Sequence, residues 1–506
     1  MMPARPPPVL VRYGQPAGRW VLLATVLGSG LAFVDGTVVN VALPRIGTSL
    51  DANAAELQWT VNGYTLSVAS LILLGGSLGD RYGRRRVFVV GVAWFAAASL
   101  LCGLAPDVDV LVAARVLQGV GGALLTPGAL AILEASFEPQ DRARAIGAWS
   151  GLGGIAGAAG PFLGGWLVQV ATWRLVFLVN VPLAAVVVAV ALRHVPETRN
   201  PAATRRLDLA GVVTGATGLA GLTYGFTAWP ALGPTAPEVL LALGLGLLGI
   251  AGFVLAERRS ANPMLPLEVF ASRAFVAANL VTFAVYAALG GVFFLVGLEL
   301  QIVAGFSPLE AGAALLPVTA VMLLLSARAG ALAQRVGPRL PMTAGPLVCA
   351  GGLLLLARVG AHASYLRTVF PGVTTLGLGL SLTVAPLTAT ALGSLDDRHA
   401  GIASGVNNAV ARAAGLLAVA VLPLAAGLGS ARLTDPAALA PTFRVAMVLC
   451  AGLLLAGSAI AFASLPAGAA GAATPSAPLP GSPVRFHCAI GGPPLQPRRP
   501  RPPREA

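Results

Sequence analysis

The sequence predicts an all-α polytopic membrane protein, built as two six-helix bundles plus two extra central helices, about fourteen transmembrane helices in all. Three observations predict it. The 506-residue chain is 56% hydrophobic and only 10% charged, where a soluble domain carries roughly 25% charged residues. Its apolar residues fall into about fourteen segments near the ~20 residues that cross a bilayer. One loop also recurs in the second half: Gly76-Ser77-Leu78-Gly79-Asp80-Arg81-Tyr82-Gly83-Arg84-Arg85 aligns with Gly330-Ala331-Leu332-Ala333-Gln334-Arg335-Val336-Gly337-Pro338-Arg339, with Gly, Leu, Arg, Gly and Arg in register.

The predicted spans are 20–43, 57–78, 87–105, 110–133, 144–168, 173–192, 209–229, 239–256, 274–302, 311–333, 342–360, 366–392, 402–428 and 443–464. They divide the chain into an N-terminal cytoplasmic segment (1–19), a first bundle (20–192), a linker with two further spans (193–273), a second bundle (274–464) and a disordered Pro/Arg-rich cytoplasmic tail (465–506). With the N-terminus inside, twenty arginines outside the tail fall in inner segments. Six fall in outer ones: Arg45, Arg174, Arg358, Arg367, Arg432 and Arg444. That asymmetry places both ends in the cytoplasm.

The first span is too long for a signal-peptide core and is expected to stay as an anchor. It holds Asp35 at its centre, where an Asp costs about 2.5–3.5 kcal/mol to insert. Asp35 must therefore face a cavity or a partner. It is either a proton carrier or a structural Asp hydrogen-bonded between helices, and intramembrane ionisable groups usually mark pathways. Asn40, one turn on, is a candidate for the same path.

The second and third spans are joined by Gly79-Asp80-Arg81-Tyr82-Gly83-Arg84-Arg85-Arg86. Gly79 and Gly83 allow a sharp reversal, and the arginines hold it inside. Asp80 among them implies a specific partner. In the fourth span Arg115 and Gln118 share a helix face; the bland alternative is an arginine snorkelling from a helix end. In the fifth, Gly160, Pro161, Gly164 and Gly165 permit a kink and close helix approach.

Spans 209–229 and 239–256 are separated by Pro230, Pro234 and Pro237. Glu299, near the end of the ninth span, either carries protons or recognises a cation, or else sits in outer-leaflet water. In the repeated loop Gln334 replaces Asp80, so the halves are not equivalent. Arg412 in the thirteenth span either pairs with a carboxylate across a cavity or anchors near the cytoplasm.

The 33 basic residues are all arginine. Without Lys there is no nucleotide-binding G-x-x-x-x-G-K-[ST] loop. Cys102, Cys349, Cys450 and Cys488 lack metal-ligand spacing, and no basic surface interleaved with aromatics points to nucleic acid. No catalytic constellation or soluble sensor domain supports a membrane enzyme or receptor. Two related halves are a common plan for secondary transporters, with substrate handled between them.

The motifs carry a family resemblance. Gly76–Arg85 resembles the signature loop G-x-L-x-D-R-x-G-R-R of the major facilitator superfamily. Asp35 to Pro44 resembles D-x-T-x-V-N-V-A-L-P, the first helix of its 14-span drug:proton antiporters. Arg115 to Ala123 resembles the fourth-helix motif R-x-x-Q-G-x-G-x-A. Gly160 to Gly165 resembles the exporter signature G-x-x-x-G-P-x-x-G-G, with Ala156 in place of the leading Gly.

The resemblance covers about 18–465. It implies the major facilitator fold and a monomer in a bacterial plasma membrane. It also implies proton-driven export of small hydrophobic or cationic compounds, such as drugs and antibiotics, by alternating access. The proton gradient supplies the energy and no cofactor is needed. Asp35 would exchange the proton, Arg115 tune its affinity and Gln118 orient it. Gly79, Asp80, Arg81, Gly83, Arg84 and Arg85 would form a cytoplasmic gate, Asp80 latching against a helix N-terminus of the other half. Export of the cell's own metabolite is the alternative; import is disfavoured by Gly160–Gly165.

Overall fold

The computed structural model describes residues 10–199, 208–260, 263, 265–395, 400–427 and 435–465. The N-terminal nine residues and the tail beyond Leu465 lie outside the described residues. Fourteen helices long and apolar enough to cross a membrane follow one another: α1 (Pro16–Leu50), α2 (Ala54–Tyr82), α3 (Arg84–Leu104), α4 (Val108–Ser136), α5 (Pro139–Val170), α6 (Leu175–His194), α7 (Leu209–Leu232), α8 (Pro237–Arg259), α9 (Arg273–Val303), α10 (Pro308–Val336), α11 (Arg339–Leu356), α12 (Tyr365–Gly393), α13 (Ile402–Ala425) and α14 (Pro436–Ser464). Among the described residues there is no strand beyond a bridge between Val11 and Phe137. Every predicted span has its helix, and the chain is a multi-pass membrane protein.

Several helices outrun their apolar cores, because bilayer thickness limits apolar length and not helix length. Six of them start on polar side-chain caps. Asn53 and Glu56 form a reciprocal capping box at α2, and Ser307 and Glu310 form another at α10. Asp107, Asp208, Ser272 and Asp435 cap α4, α7, α9 and α14. Each cap satisfies a backbone N–H that the helix start leaves free.

The repeat read from one loop extends through the packing. In the first half α3 packs on α4 and α6, α2 on α4, and α1 on α5 and α6. In the second half α11 packs on α12 and α14, α10 on α12, and α9 on α13 and α14. Each pairing recurs eight helices later. α7 and α8 pack on each other, and α7 also lies against α2 and α13. The halves meet where α2 packs on α13, α1 on α9 and α5 on α10.

The two loops of the repeat share a backbone device. Gly83 has φ 117° and Gly337 φ 86°, a region that disfavours side chains. Gly79 is not part of the reversal as expected. It is still helical, and its carbonyl accepts the Gly83 N–H at 3.0 Å. Glu197, from the chain following α6, accepts the N–H groups of Arg85 and Arg86 at 3.2 Å each. A carboxylate there complements the positive end of α3. A Cβ on Gly83 would lie 2.6 Å from Glu197 Oε1. Gly83→Ala is therefore expected to destabilise the protein by about 1–3 kcal/mol through backbone strain; a thermal unfolding midpoint unchanged from wild type would contradict this.

Candidate functional site

Five helices bring their polar residues to one point inside the first half. α1 contributes Asp35, α2 Tyr64 and the carbonyl of Thr60, α3 Ser99, α4 Arg115 and Gln118, and α6 Asn180. Asp35 is fully buried, and Arg115 is 1% exposed. Arg115 Nη1 donates to Asp35 Oδ2 at 2.5 Å and to Gln118 Oε1 at 2.5 Å, while its Nε donates to Thr60 O at 2.9 Å. Gln118 Nε2 donates to Asp35 Oδ1 and to Ser99 Oγ, both at 2.8 Å. Asn180 Nδ2 reaches Asp35 Oδ1 at 3.3 Å. The Arg115 guanidinium lies 4.5 Å from the centre of the Tyr64 ring.

This arrangement satisfies the conditions for keeping charge out of water: an opposite charge, and hydrogen bonds to the remaining lone pairs. Arg115 is not a snorkelling arginine. Asp35, Arg115 and Gln118 are brought together, as their types suggested. Ser99, Asn180 and Tyr64 went unread; Asn180 and Ser99 were visible only as isolated polar residues in apolar segments. Asn180→Leu is expected to lower stability by about 1–2 kcal/mol, because it removes a donor from a buried carboxylate. Differential scanning of the purified protein checks this, and an unshifted midpoint would count against the hydrogen bond.

Asn40 and Thr37 lie on a different face of α1. With Val41, Gly157, Pro161, Phe293, Gly297, Leu315, Val318 and Thr319 they line a cavity of about 60 Å³ between the halves. Among the described residues the buried Asn40 side-chain oxygen has no hydrogen-bond partner. α1 thus presents the ionic cluster to α3, α4 and α6 and the cavity to α5, α9 and α10.

The motif of α5 builds the seam at the end remote from the arginine-rich loop. Gly160 packs on Thr37, Gly164 on Val38, and Gly165 on the backbone of Pro308. Gly312 of α10 packs in return on the Pro161 carbonyl. These contacts leave no room for side chains, which is what the small residues are for.

Other expected residues sit apart. Asp80 does not reach the second half: its carboxylate pairs with Arg84 at 2.8 Å within its own loop, and Arg84 also donates to Ala131 O. Arg85 donates to Val195 O at 3.0 Å, and Arg81 stacks on Tyr82. In the repeated loop Gln334 and Pro338 replace both members of the Asp80–Arg84 pair. Glu299 is not in outer-leaflet water. It is fully buried, among the described residues both its oxygens lack hydrogen-bond partners, and it opens the π-helical last turn of α9, Glu299–Val303, which packs against α14. Among the described residues Arg412 forms no salt bridge.

Twelve apolar helices in two repeated halves and two more besides, with a buried ion pair beside a cavity at the seam, define a polytopic secondary transporter. The chain matches the Major Facilitator Superfamily over residues 25–420 and belongs to that family. It is 37% identical over 402 residues to "Multidrug resistance protein Stp" of Mycobacterium tuberculosis, covering 79% of this chain and 74% of that one. It is 36% identical over 407 residues to the "Tetracenomycin C resistance and export protein" of Streptomyces glaucescens, with the same coverage. Among solved structures, a bacterial homologue of the human lysosomal transporter Spinster, inward-facing and unoccupied, shares the fold. Its TM-score is 0.60 at 19% identity, over 89% of this chain and 97% of that one.

Proposed function

We propose that the protein is a proton-coupled exporter of small hydrophobic compounds, drugs or antibiotics among them, in a bacterial cytoplasmic membrane. It works as a monomer with both ends in the cytoplasm, and the proton gradient supplies its energy. One observation carries this reading: α1 holds a buried, fully hydrogen-bonded Asp35–Arg115–Gln118 cluster on one face and lines the inter-half cavity on another.

The chemistry follows from the bonds. With Asp35 ionised, Arg115 is neutralised and α1 is tied to α4. A proton on Asp35 removes the charge that Arg115 pairs with, leaving the guanidinium to Gln118 and the Thr60 carbonyl. The tie between α1 and α4 then weakens, and the cavity face of α1 is free to shift. A compound entering the cavity near Thr37, Asn40 and Thr319 acts on the same helix from its other side, so proton and compound compete through α1. The halves at 20–192 and 274–464 rock about the seam, closed at the outer end by Gly160, Gly164 and Gly165. The loop Gly79–Arg85 braces the cytoplasmic end of the first half, and 193–273 supplies the two additional helices. The test is uptake of labelled antibiotics, one at a time, into inverted vesicles that are acid inside. Accumulation abolished by a protonophore supports export. Accumulation only in right-side-out vesicles would make the protein an importer and overturn the reading.

A further inference from the structure

The cavity between the halves holds acceptors that the protein leaves without a donor. Its polar side chains are Thr37 and Asn40 of α1 and Thr319 of α10. The Thr37 hydroxyl is committed as a donor, to the Gly157 carbonyl of α5 at 2.9 Å and to the Val34 carbonyl of its own helix at 3.0 Å. A hydroxyl has one hydrogen and two lone pairs, so Thr37 has only lone pairs to offer the cavity. Among the described residues the buried Asn40 Oδ1 accepts from no group. Thr319 lines the same cavity from the second half with a hydroxyl that can serve either way.

Two prolines add to the acceptors. Pro44 stands one turn beyond Asn40 and Pro161 one turn beyond Gly157, both inside their helices. Neither has an N–H to give to the carbonyl one turn back. Thr37 serves the Gly157 carbonyl instead. The Asn40 carbonyl faces α9, where a Cβ on Gly297 would lie 3.1 Å from it. Gln301, the neighbouring donor on α9, is spent on the carbonyls of Val41 at 2.9 Å and Gly297 at 3.1 Å.

No charged side chain lines this cavity. Asp35, on another face of α1, is neutralised by Arg115. Glu299 is two residues past Gly297, and residues two apart do not share a helix face. A charged group entering here would lose its water without gaining a counter-ion, at a far greater cost than a neutral one. The volume is about 60 Å³, where a cavity that takes benzene has about 150 Å³. It therefore seats one substituent of a compound and not the whole of it.

We infer that this cavity receives a neutral hydrogen-bond donor of the exported compound, a hydroxyl or an amide N–H, which donates to Asn40. Asn40 then selects hydroxylated and amide-bearing hydrophobic compounds over their ethers and over ammonium ions. The inference rests on the exporter reading for the compound's being moved, but not for the binding itself.

The test uses three probes with one ring system: pyren-1-ylmethanol, its methyl ether and pyren-1-ylmethylammonium. The ether accepts but cannot donate; the ammonium donates but is charged. Saturable energy transfer from the tryptophans of the full chain in detergent reports binding without any gradient. The wild type is expected to bind the alcohol about two- to tenfold tighter than the ether, the span of one neutral hydrogen bond, and tighter than the ammonium. Asn40→Leu should still bind the ether and lose the preference for the alcohol. Equal binding of alcohol and ether by the wild type, which needs no variant to fold, would mean that the cavity takes water alone and would overturn the proposal. So would tightest binding of the ammonium, or an Asn40→Leu protein that keeps the preference for the alcohol. If the preference holds and depends on Asn40 but no compound is moved by a proton gradient, the binding inference stands and it is the exporter reading that fails.

Discussion

Asp35→Asn is expected to reduce uphill transport to background while the protein still inserts in the membrane. Asn keeps the shape and can still accept from Gln118, but it can neither carry a proton nor neutralise Arg115. The second loss makes the prediction more specific. Removing one partner of a buried ion pair typically costs about 3–5 kcal/mol, because the other charge remains unpaired. Asp35→Asn should therefore lower the thermal midpoint. The double variant Asp35→Asn/Arg115→Gln, which removes both charges, should recover much of that stability and none of the transport. Non-additivity of this kind is expected of residues in direct contact. Strictly additive stabilities, or a single variant with full uphill transport, would remove Asp35 from the centre of the account.

The second large effect is expected at the seam. A Cβ on Gly165 would lie 2.8 Å from the Pro308 carbonyl carbon and 2.9 Å from Leu309 Cα. The obstacle is backbone, which cannot swing aside, so Gly165→Val should prevent the ends of α5 and α10 from meeting. Transport should fall at least tenfold, since an equilibrium displaced by about 1.4 kcal/mol already changes tenfold. Spin labels on Val170→Cys and Leu309→Cys should report a wider separation than in the parent. Gly151→Ala on the same helix meets nothing within 4 Å and serves as the silent control. Unchanged spin-label distances in Gly165→Val would show that the seam tolerates the side chain.

The fold was legible because a bilayer imposes one length on every span, and fourteen apolar stretches satisfy it. Helix ends were less so. α5 begins at Pro139, before Arg142 and Arg144, because water-exposed turns need no apolar residues. The centre of the site was readable for the same reason that it is expensive: Asp35 and Arg115 stand out against hydrocarbon. Ser99 and Asn180 complete the cluster but do not stand out, since hydroxyl and amide side chains occur in spans that do nothing with them. The partner of Asp80 was misjudged, because a charge in a loop has local and distant candidates and only the folded chain ranks them. The orientation of Glu299 was out of reach, because the π-helical turn Glu299–Val303 changes the angular step along α9. Arg412 was undecided, because only the folded chain shows that, among the described residues, it forms no salt bridge.

In the proposed cycle Asp35 exchanges a proton whenever a compound moves. Inverted vesicles containing the protein, acid inside and loaded with a pH dye, test it most directly when antibiotics are added one at a time. The account predicts proton release on adding a transported compound, and no release from the same vesicles made with Asp35→Asn. Compound uptake without proton release in the wild type, or proton release undiminished in Asp35→Asn, would contradict it.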